Sequence, residues 1–187
     1  EGEALSCYET AIASQPNSVD GHYNKSLLLL SLGKYEEGWK LYEWRWKSRA
    51  FTSPIRKFSA PLWLNDADIG DKTILVHAEQ GLGDTIQFVR YPTLLARGGA
   101  RVLLEVQPEL KDLLAQVEGV AGVFTRGETL PNFDVQCPLM SLPLALKTTP
   151  QTIPAEGPYL RADAVDAAQR GALKAVIKDP ITIAVYF

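Results

Sequence analysis

Residue types able to do chemistry are densest in His77-Ala78-Glu79-Gln80-Gly81-Leu82-Gly83-Asp84-Thr85. Two glycines two apart allow a tight strand-to-helix turn and a close approach of a ligand to the backbone. Asp84 follows where a helix N-cap belongs, and a carboxylate there accepts the free N–H groups of the first turn. Its other reading is a general base aimed into a cleft, at a sugar or protein hydroxyl. Residue types alone leave both open. His77 and Glu79 alternate onto one side of a strand end, either as a donor/acceptor pair or as a satisfied structural histidine beside an acid. Gln87 and Arg90 share a helix face with Asp84 at three-residue steps, a face that is either ligand-lining or solvated. Asp84 is thus the candidate catalytic residue. His77, Glu79, Gln80, Gly81, Gly83, Gln87 and Arg90 are the candidate ligand-lining set.

Familiar phosphate loops do not fit this segment. A dinucleotide fingerprint needs a third glycine where Ile86 stands, and a carboxylate at the helix start competes with a phosphate for the same positive end. No Gly-Lys-Ser/Thr makes it a P-loop. Other carboxylates, Glu105 and Glu109 among them, follow no catalytic spacing.

The surrounding pattern supplies a frame. Lys72 to Ala78 is a short β-rich apolar run bounded by Gly70-Asp71 and Gly81. A helical stretch follows from Asp84, kinked or restarted at Pro92 and ended by Gly98-Gly99. Arg101 to Val106, Val120 to Thr125 and Phe133 to Cys137 are further strands. Pro108 to Gln116 is a helix with proline in its first turn, and Leu139 to Lys147 is a short helix or turn. A last helix is expected over Ala162 to Lys178 and a last strand over Ile181 to Tyr186. Strands alternating with helices at this spacing predict a parallel, doubly wound sheet with right-handed crossovers. Ligands of such sheets sit beyond the carboxyl ends of the strands, which is where the candidate segment falls.

The N-terminal part repeats. At an offset of 34, Glu3-Ala4 falls on Glu37-Gly38 and Tyr8 on Tyr42. Between them come Pro16, a helical stretch from Val19 to Leu32, and Gly33. Small residues at 4 and 38 permit close helix approach, the tyrosines fill the space between hairpins, and Gly33 supplies a left-handed helix end. This pattern resembles the tetratricopeptide repeat. Arg45 stands where that repeat has a small residue, as in a terminal, capping unit. Trp39, Trp44 and Trp46 form either an aromatic binding surface or a hydrophobic seam. Ser48 to Asp68 has no clean period and reads as an irregular connector held by Phe51, Phe58 and Trp63. Arg45, Lys47, Arg49, Arg56 and Lys57 form a basic run, either a solvated edge or a face for an anion such as a nucleotide diphosphate.

Composition bounds the rest. The 187 residues are 46% hydrophobic and 22% charged, with a formal net charge of −3. That excludes a disordered chain and gives no global basic field for nucleic acid. No apolar run approaches the ~20 residues of a bilayer span. The distant pair Cys7 and Cys137 is neither a metal cluster nor a disulfide framework, and suits a reducing cytoplasm. No signal peptide opens the chain, and both ends look cut.

Taken with the repeats, "YEEGWKLYEWRW", "KTILVHAEQGLGDTIQFVRY", "VLLEVQPELKDLL", "FDVQCPLMSLP" and "IPAEGPYL" resemble bacterial repeat-containing glycosyltransferase-like proteins. These are related to the ADP-heptose transferases and, more distantly, to the protein O-linked N-acetylglucosamine transferases. The resemblance implies an α/β fold: a short repeat segment, then the Rossmann-like first half of a GT-B fold. Residues 1–50 would be repeats with a capping helix, 51–70 a linker, 71–178 the Rossmann-like half, and 179–187 the start of a truncated second half. It implies that Asp84 is the base of an inverting transfer from a nucleotide-diphosphate sugar to a hydroxyl acceptor. The donor is a substrate and no cofactor is implied. No metal is implied either, because no Asp-x-Asp pair is suited to bridging a diphosphate. Most of the donor site would lie in the missing half, so little activity is expected of this chain alone. The alternative is a non-catalytic protein-interaction module, with a peptide in the repeat groove and a degenerate α/β unit.

Overall fold

The computed structural model describes residues 2–157, 159 and 160. In chain order these form α1 (Gly2–Ser14), α2 (Val19–Ser31), α3 (Tyr35–Tyr42), β1 (Thr73–His77), α4 (Leu82–Phe88), α5 (Pro92–Arg97), β2 (Arg101–Val106), α6 (Lys111–Leu114), β3 (Val120–Thr125), β4 (Val135–Pro138) and α7 (Leu142–Ala145). The expected helix over 162–178 and strand over 181–186 lie outside the described residues. Among the described residues, no helix is long and apolar enough to cross a membrane. Two compact units emerge, one helical (residues 2–57 with 141–153) and one built on the sheet (residues 58–140 with 154–160).

In the helical unit, α2 packs against both α1 and α3. Ser18 caps α2, its Oγ accepting the Gly21 N–H at 3.2 Å. Gly33 ends it at φ +73°, and the Gly33 and Lys34 N–H groups return to Leu30 and Leu29 carbonyls. Only a residue free of Cβ strain takes that backbone readily. Gly38 is the close approach: a Cβ there would stand 2.8 Å from Leu30 Cδ2. Its repeat-mate Ala4 makes no such approach. It is exposed, and α1 buries none of its residues; among the described helices it packs on α2.

α3 stops after eight residues and tightens into a 3₁₀ turn over Glu43–Lys47. Arg45 lies in this turn. It is not on a solvated basic edge, because it is 0% exposed. Its Nη1 donates to Glu43 Oε1 at 2.6 Å and its Nη2 to Ser141 Oγ at 2.7 Å. Its guanidinium lies 4.8 Å from the Tyr42 ring centroid and 4.6 Å from that of Trp46. The neighbouring aromatics are knitted into the same unit. Trp44 stacks on His22 at 4.0 Å, and Trp46 meets Phe51 edge-on at 4.9 Å.

The second unit is a four-stranded, wholly parallel sheet in the order β3-β2-β1-β4. β1 and β2 read as near-continuous apolar runs, and Ile74, Leu75, Val76, Val102, Leu103 and Leu104 are at most 1% exposed. This is the signature of strands covered on both faces. The connector does pack through its rings: Phe58 contacts His77 and Phe133, and Trp63 is buried with its indole N–H on the Ala67 carbonyl. Pro92 restarts the helix, as expected. The stretch 108–116 is not one helix but a 3₁₀ turn at Pro108–Leu110 followed by the four-residue α6.

Gly99 is a close approach of backbone to backbone in this unit. Its φ is +95°, and a Cβ would lie 2.7 Å from the Gly70 carbonyl oxygen. Gly99→Ala is expected to cost roughly 1–3 kcal/mol, combining a disfavoured backbone with a backbone clash. Urea titration followed by far-ultraviolet circular dichroism checks this; an unchanged midpoint would contradict it.

Candidate functional site

The strand order sets the location. From β1 the chain runs outward through β2 to β3, then returns to place β4 on the other flank of β1. The direction of winding therefore reverses between β1 and β4. The segment leaving β1 at His77 emerges beside that switch point, the usual place for a crevice in such sheets.

Neighbouring strand ends hold this segment. The Ala78 N–H donates to the Glu105 carbonyl at 2.7 Å, and Arg126 Nη2 donates to the Ala78 carbonyl at 2.9 Å. Gln107 follows β2. Its Nε2 donates to the Gln80 and Gly81 carbonyls at 3.3 and 3.4 Å, and its Oε1 accepts the Thr85 hydroxyl at 2.9 Å. Gln107, Arg126 and Gln136 are the supporting residues that sequence reasoning missed. The usable signal was position, since Gln107 and Arg126 are each the first residue after a strand of the parallel sheet.

His77 and Glu79 both turn toward β4. His77 Nε2 donates to Gln136 Oε1 at 2.8 Å, and its ring meets Phe58 at 5.2 Å. Glu79 Oε1 accepts the Met140 backbone N–H at 3.0 Å, which spans the switch point. They are 4% and 2% exposed, and these bonds tie the end of β1 to β4 and to the turn that follows it.

Asp84 corrects one expectation. It is not the N-cap: α4 begins at Leu82, its cap is Gly81, and Asp84 is the third helical residue. Its Oδ2 accepts the Gly81 N–H at 2.9 Å, the return half of a capping box. The forward half needs a side chain that glycine lacks. Oδ1 accepts nothing from the described residues, and the side chain is half-buried.

The glycines also act differently from expectation. The left-handed residue of the turn is Gln80, at φ +62°, while Gly81 has φ −89°. A Cβ at Gly83 would meet nothing within 4 Å, and one at Gly81 only Asp84 Oδ2 at 3.4 Å. Both are exposed, so they leave bare backbone and open space around the carboxylate.

Arg90 stands apart. Its Nε donates to the Gln87 carbonyl at 2.9 Å, Nη1 to Pro154 O at 3.1 Å and Nη2 to Tyr159 Oη at 3.2 Å. The Tyr159 hydroxyl donates in turn to Ile86 O at 3.0 Å. Arg90 thereby straps the segment around 154–159 onto α4. It also lines a cavity of about 340 Å³ with Arg97 and Glu118. Those two residues precede β2 and β3, so the cavity lies toward the amino ends of the strands and not beside Asp84. The candidates thus divide into the turn around Asp84, the buried pair His77 and Glu79, and the strap at Arg90.

One Asp-x-Asp spacing does occur, at Asp66 and Asp68. Their carboxylates accept the backbone N–H groups of Leu64 at 3.4 Å and Gly70 at 3.0 Å, which orders the connector. Among the described residues, no group of three or more His, Cys, Asp or Glu is placed to hold a metal ion.

Residues 7–40 match the tetratricopeptide repeat family, which covers the end of α1, all of α2 and most of α3. A curated relative, Protein FlbA of Caulobacter vibrioides, is 31% identical over 88 residues, 46% of this chain and 15% of that protein. The chain therefore matches only a small part of that relative's length. No solved structure matches with comparable significance.

Proposed function

We propose that this chain supplies the acceptor-side half of a sugar transferase, carried on a protein-binding repeat segment. Asp84 is its general base. One observation carries the reading: a carboxylate at the carboxyl edge of a parallel sheet, beside the switch point, with one oxygen fixed by the Gly81 N–H and the other uncommitted. Oδ1 takes the proton of an acceptor hydroxyl. The acceptor oxygen then bonds to the anomeric carbon of a nucleotide-diphosphate sugar, and the bond to the diphosphate breaks on the opposite face. The bare backbone at Gly81 and Gly83 leaves room for the acceptor. The likeness of the segment from Glu79 to Tyr91 to glycosyltransferase-like proteins agrees with this reading, as does a parallel α/β unit following the repeats. The donor's nucleotide and sugar are recognised outside the described residues.

A second reading, a protein-interaction module with an inactive α/β unit, is favoured by the family match over 7–40 and by the burial of His77 and Glu79. The protein that carries this chain separates the two. Incubated with UDP-, GDP- and ADP-sugars, a transferase is expected to release nucleoside diphosphate slowly to water. No release from any donor class would contradict the transferase reading and leave the interaction module.

A further inference from the structure

The helical unit contains a groove of about 520 Å³ between α3 and the loop that follows α7. It involves none of the sheet residues discussed above. Its walls are Tyr35 and Trp39 from α3 and Pro143 and Leu144 from α7, and its end is closed by Lys147 and Thr148. The volume falls within the roughly 300–1,000 Å³ of ordinary ligand sites.

Two features of the groove point to an occupant. Thr148 is 3% exposed and lines the groove, yet its hydroxyl makes no hydrogen bond among the described residues. That oxygen is not sealed from water, so it is open to a hydrogen bond with a groove occupant. The second feature is charge. Glu36 on the rim is neutralised by Lys40 at 2.9 Å, and Glu37 shares Lys25, at 2.8 Å, with Glu9 at 3.4 Å. Lys147 and Lys34 meet no carboxylate among the described residues. Lys34 shares a neighbouring depression with Glu36, Glu37 and Lys40. Among the groove's own charged residues, Glu36, Lys40 and Lys147, Lys147 is thus left as one unbalanced positive charge beside an aromatic wall.

Lys147 is also an unusual choice for its backbone. The Thr148 N–H bonds to Pro143 O at 2.8 Å and the Lys147 N–H to Leu144 O at 3.0 Å, the paired pattern of a Schellman helix end. Lys147 takes the left-handed position, at φ +50°, where glycine is the ordinary residue.

We infer that this groove binds a peptide segment of a protein partner, one that presents an aromatic or branched aliphatic side chain next to a carboxylate. The apolar side chain lies against Trp39, Tyr35 and Pro143. The Thr148 hydroxyl hydrogen-bonds the peptide, and the carboxylate pairs with Lys147, with Lys34 adding to the local field. An apolar wall beside the unbalanced Lys147 favours this occupant over a basic peptide, which Lys147 repels, and over a nucleic acid strand, which needs phosphate contacts along a longer basic track. The inference stands independently of the transferase reading.

The test is selection of a displayed random heptapeptide library on the 187-residue chain, followed by titration of the most enriched synthetic peptide. Enriched sequences are expected to place Asp or Glu within two positions of an aromatic or branched aliphatic residue, and to shift the Trp39 indole N–H resonance. Lys147→Glu is expected to weaken binding at least tenfold and Thr148→Val about threefold. Lys147→Gly removes the charge while relieving the left-handed backbone. It is expected to melt no lower than the parent and still to bind at least fivefold more weakly, which separates recognition from folding. An empty selection, enrichment of basic or neutral sequences, or binding that is indifferent to Lys147→Glu and Lys147→Gly would overturn the proposal. So would tight binding of a twelve-nucleotide oligonucleotide that is lost in Lys147→Glu.

Discussion

Arg45→Leu is expected to destabilise the helical unit by about 2–3 kcal/mol, below the cost of leaving a fully buried charge unpaired, because the Glu43 side chain is 23% exposed. The guanidinium is wholly buried, and three things depend on it. Glu43 Oε1 loses its 2.6 Å partner, Ser141 Oγ loses its 2.7 Å donor, and the Tyr42 and Trp46 rings lose the cation between them. Ser141 keeps only its 2.8 Å donation to Glu43 Oε1, so the residual cluster is an acid and a hydroxyl in an aromatic pocket. Arg45→Lys keeps the charge but lacks the planar fork and is expected to recover less than half of the loss. Arg45→Leu combined with Glu43→Leu is expected to lie closer to the parent than the single variant, because no charge is then left unpaired. Tryptophan fluorescence in urea reads this unit well, since Trp39, Trp44 and Trp46 all belong to it. A midpoint lowered by about 1 M or more is expected for Arg45→Leu. A change of a few tenths of a molar would mean that the cluster contributes little.

Arg45 also marks a limit of sequence reading. Along the chain it heads a basic run and looks solvated. Its burial depends on Ser141, 96 residues away, and on rings brought round by the turn at Glu43–Lys47. Local patterns fared better where the physics is local. β2 and β3 were legible to the residue, because β-rich runs bounded by glycines or turns specify strands; β2 is buried within the sheet, whereas β3 at its edge is only half-buried. Gly33 and Pro92 acted as punctuation for the same kind of reason: one supplies a left-handed end, and the other cannot accept a preceding helix. The stretch 108–116 was overread, because α6 completes only Lys111–Leu114. The candidate turn was legible as a location but not as a geometry. Its left-handed residue is Gln80 rather than a glycine, and its partners are Gln107 and Arg126, which follow β2 and β3, and Gln136 within β4. Only register brings those together.

The second large effect concerns chemistry. Asp84→Asn preserves shape and can still accept the Gly81 N–H through its amide oxygen. Its stability cost is expected to stay below about 1 kcal/mol, the scale of losing one charge near a helix start. If Asp84 removes a proton in the rate-limiting step, the same change is expected to lower turnover about 10²- to 10⁴-fold, the range for a deleted general base. Asp84→Glu retains the carboxylate but moves it by one methylene, so an intermediate loss is expected. The pattern is diagnostic because a capping group and a base respond in opposite ways. A cap shows in the melt and not in the rate, whereas a base shows in the rate and hardly in the melt.

The central claim is therefore tested most directly by release of nucleoside diphosphate from its sugar nucleotide by the protein that carries this chain, measured beside its Asp84→Asn variant, with both melts recorded. A fall in rate of at least a hundredfold with a melt within a few degrees of the parent is the result predicted here. Equal rates in the two proteins, or a rate that falls only in step with lost folding, would contradict it.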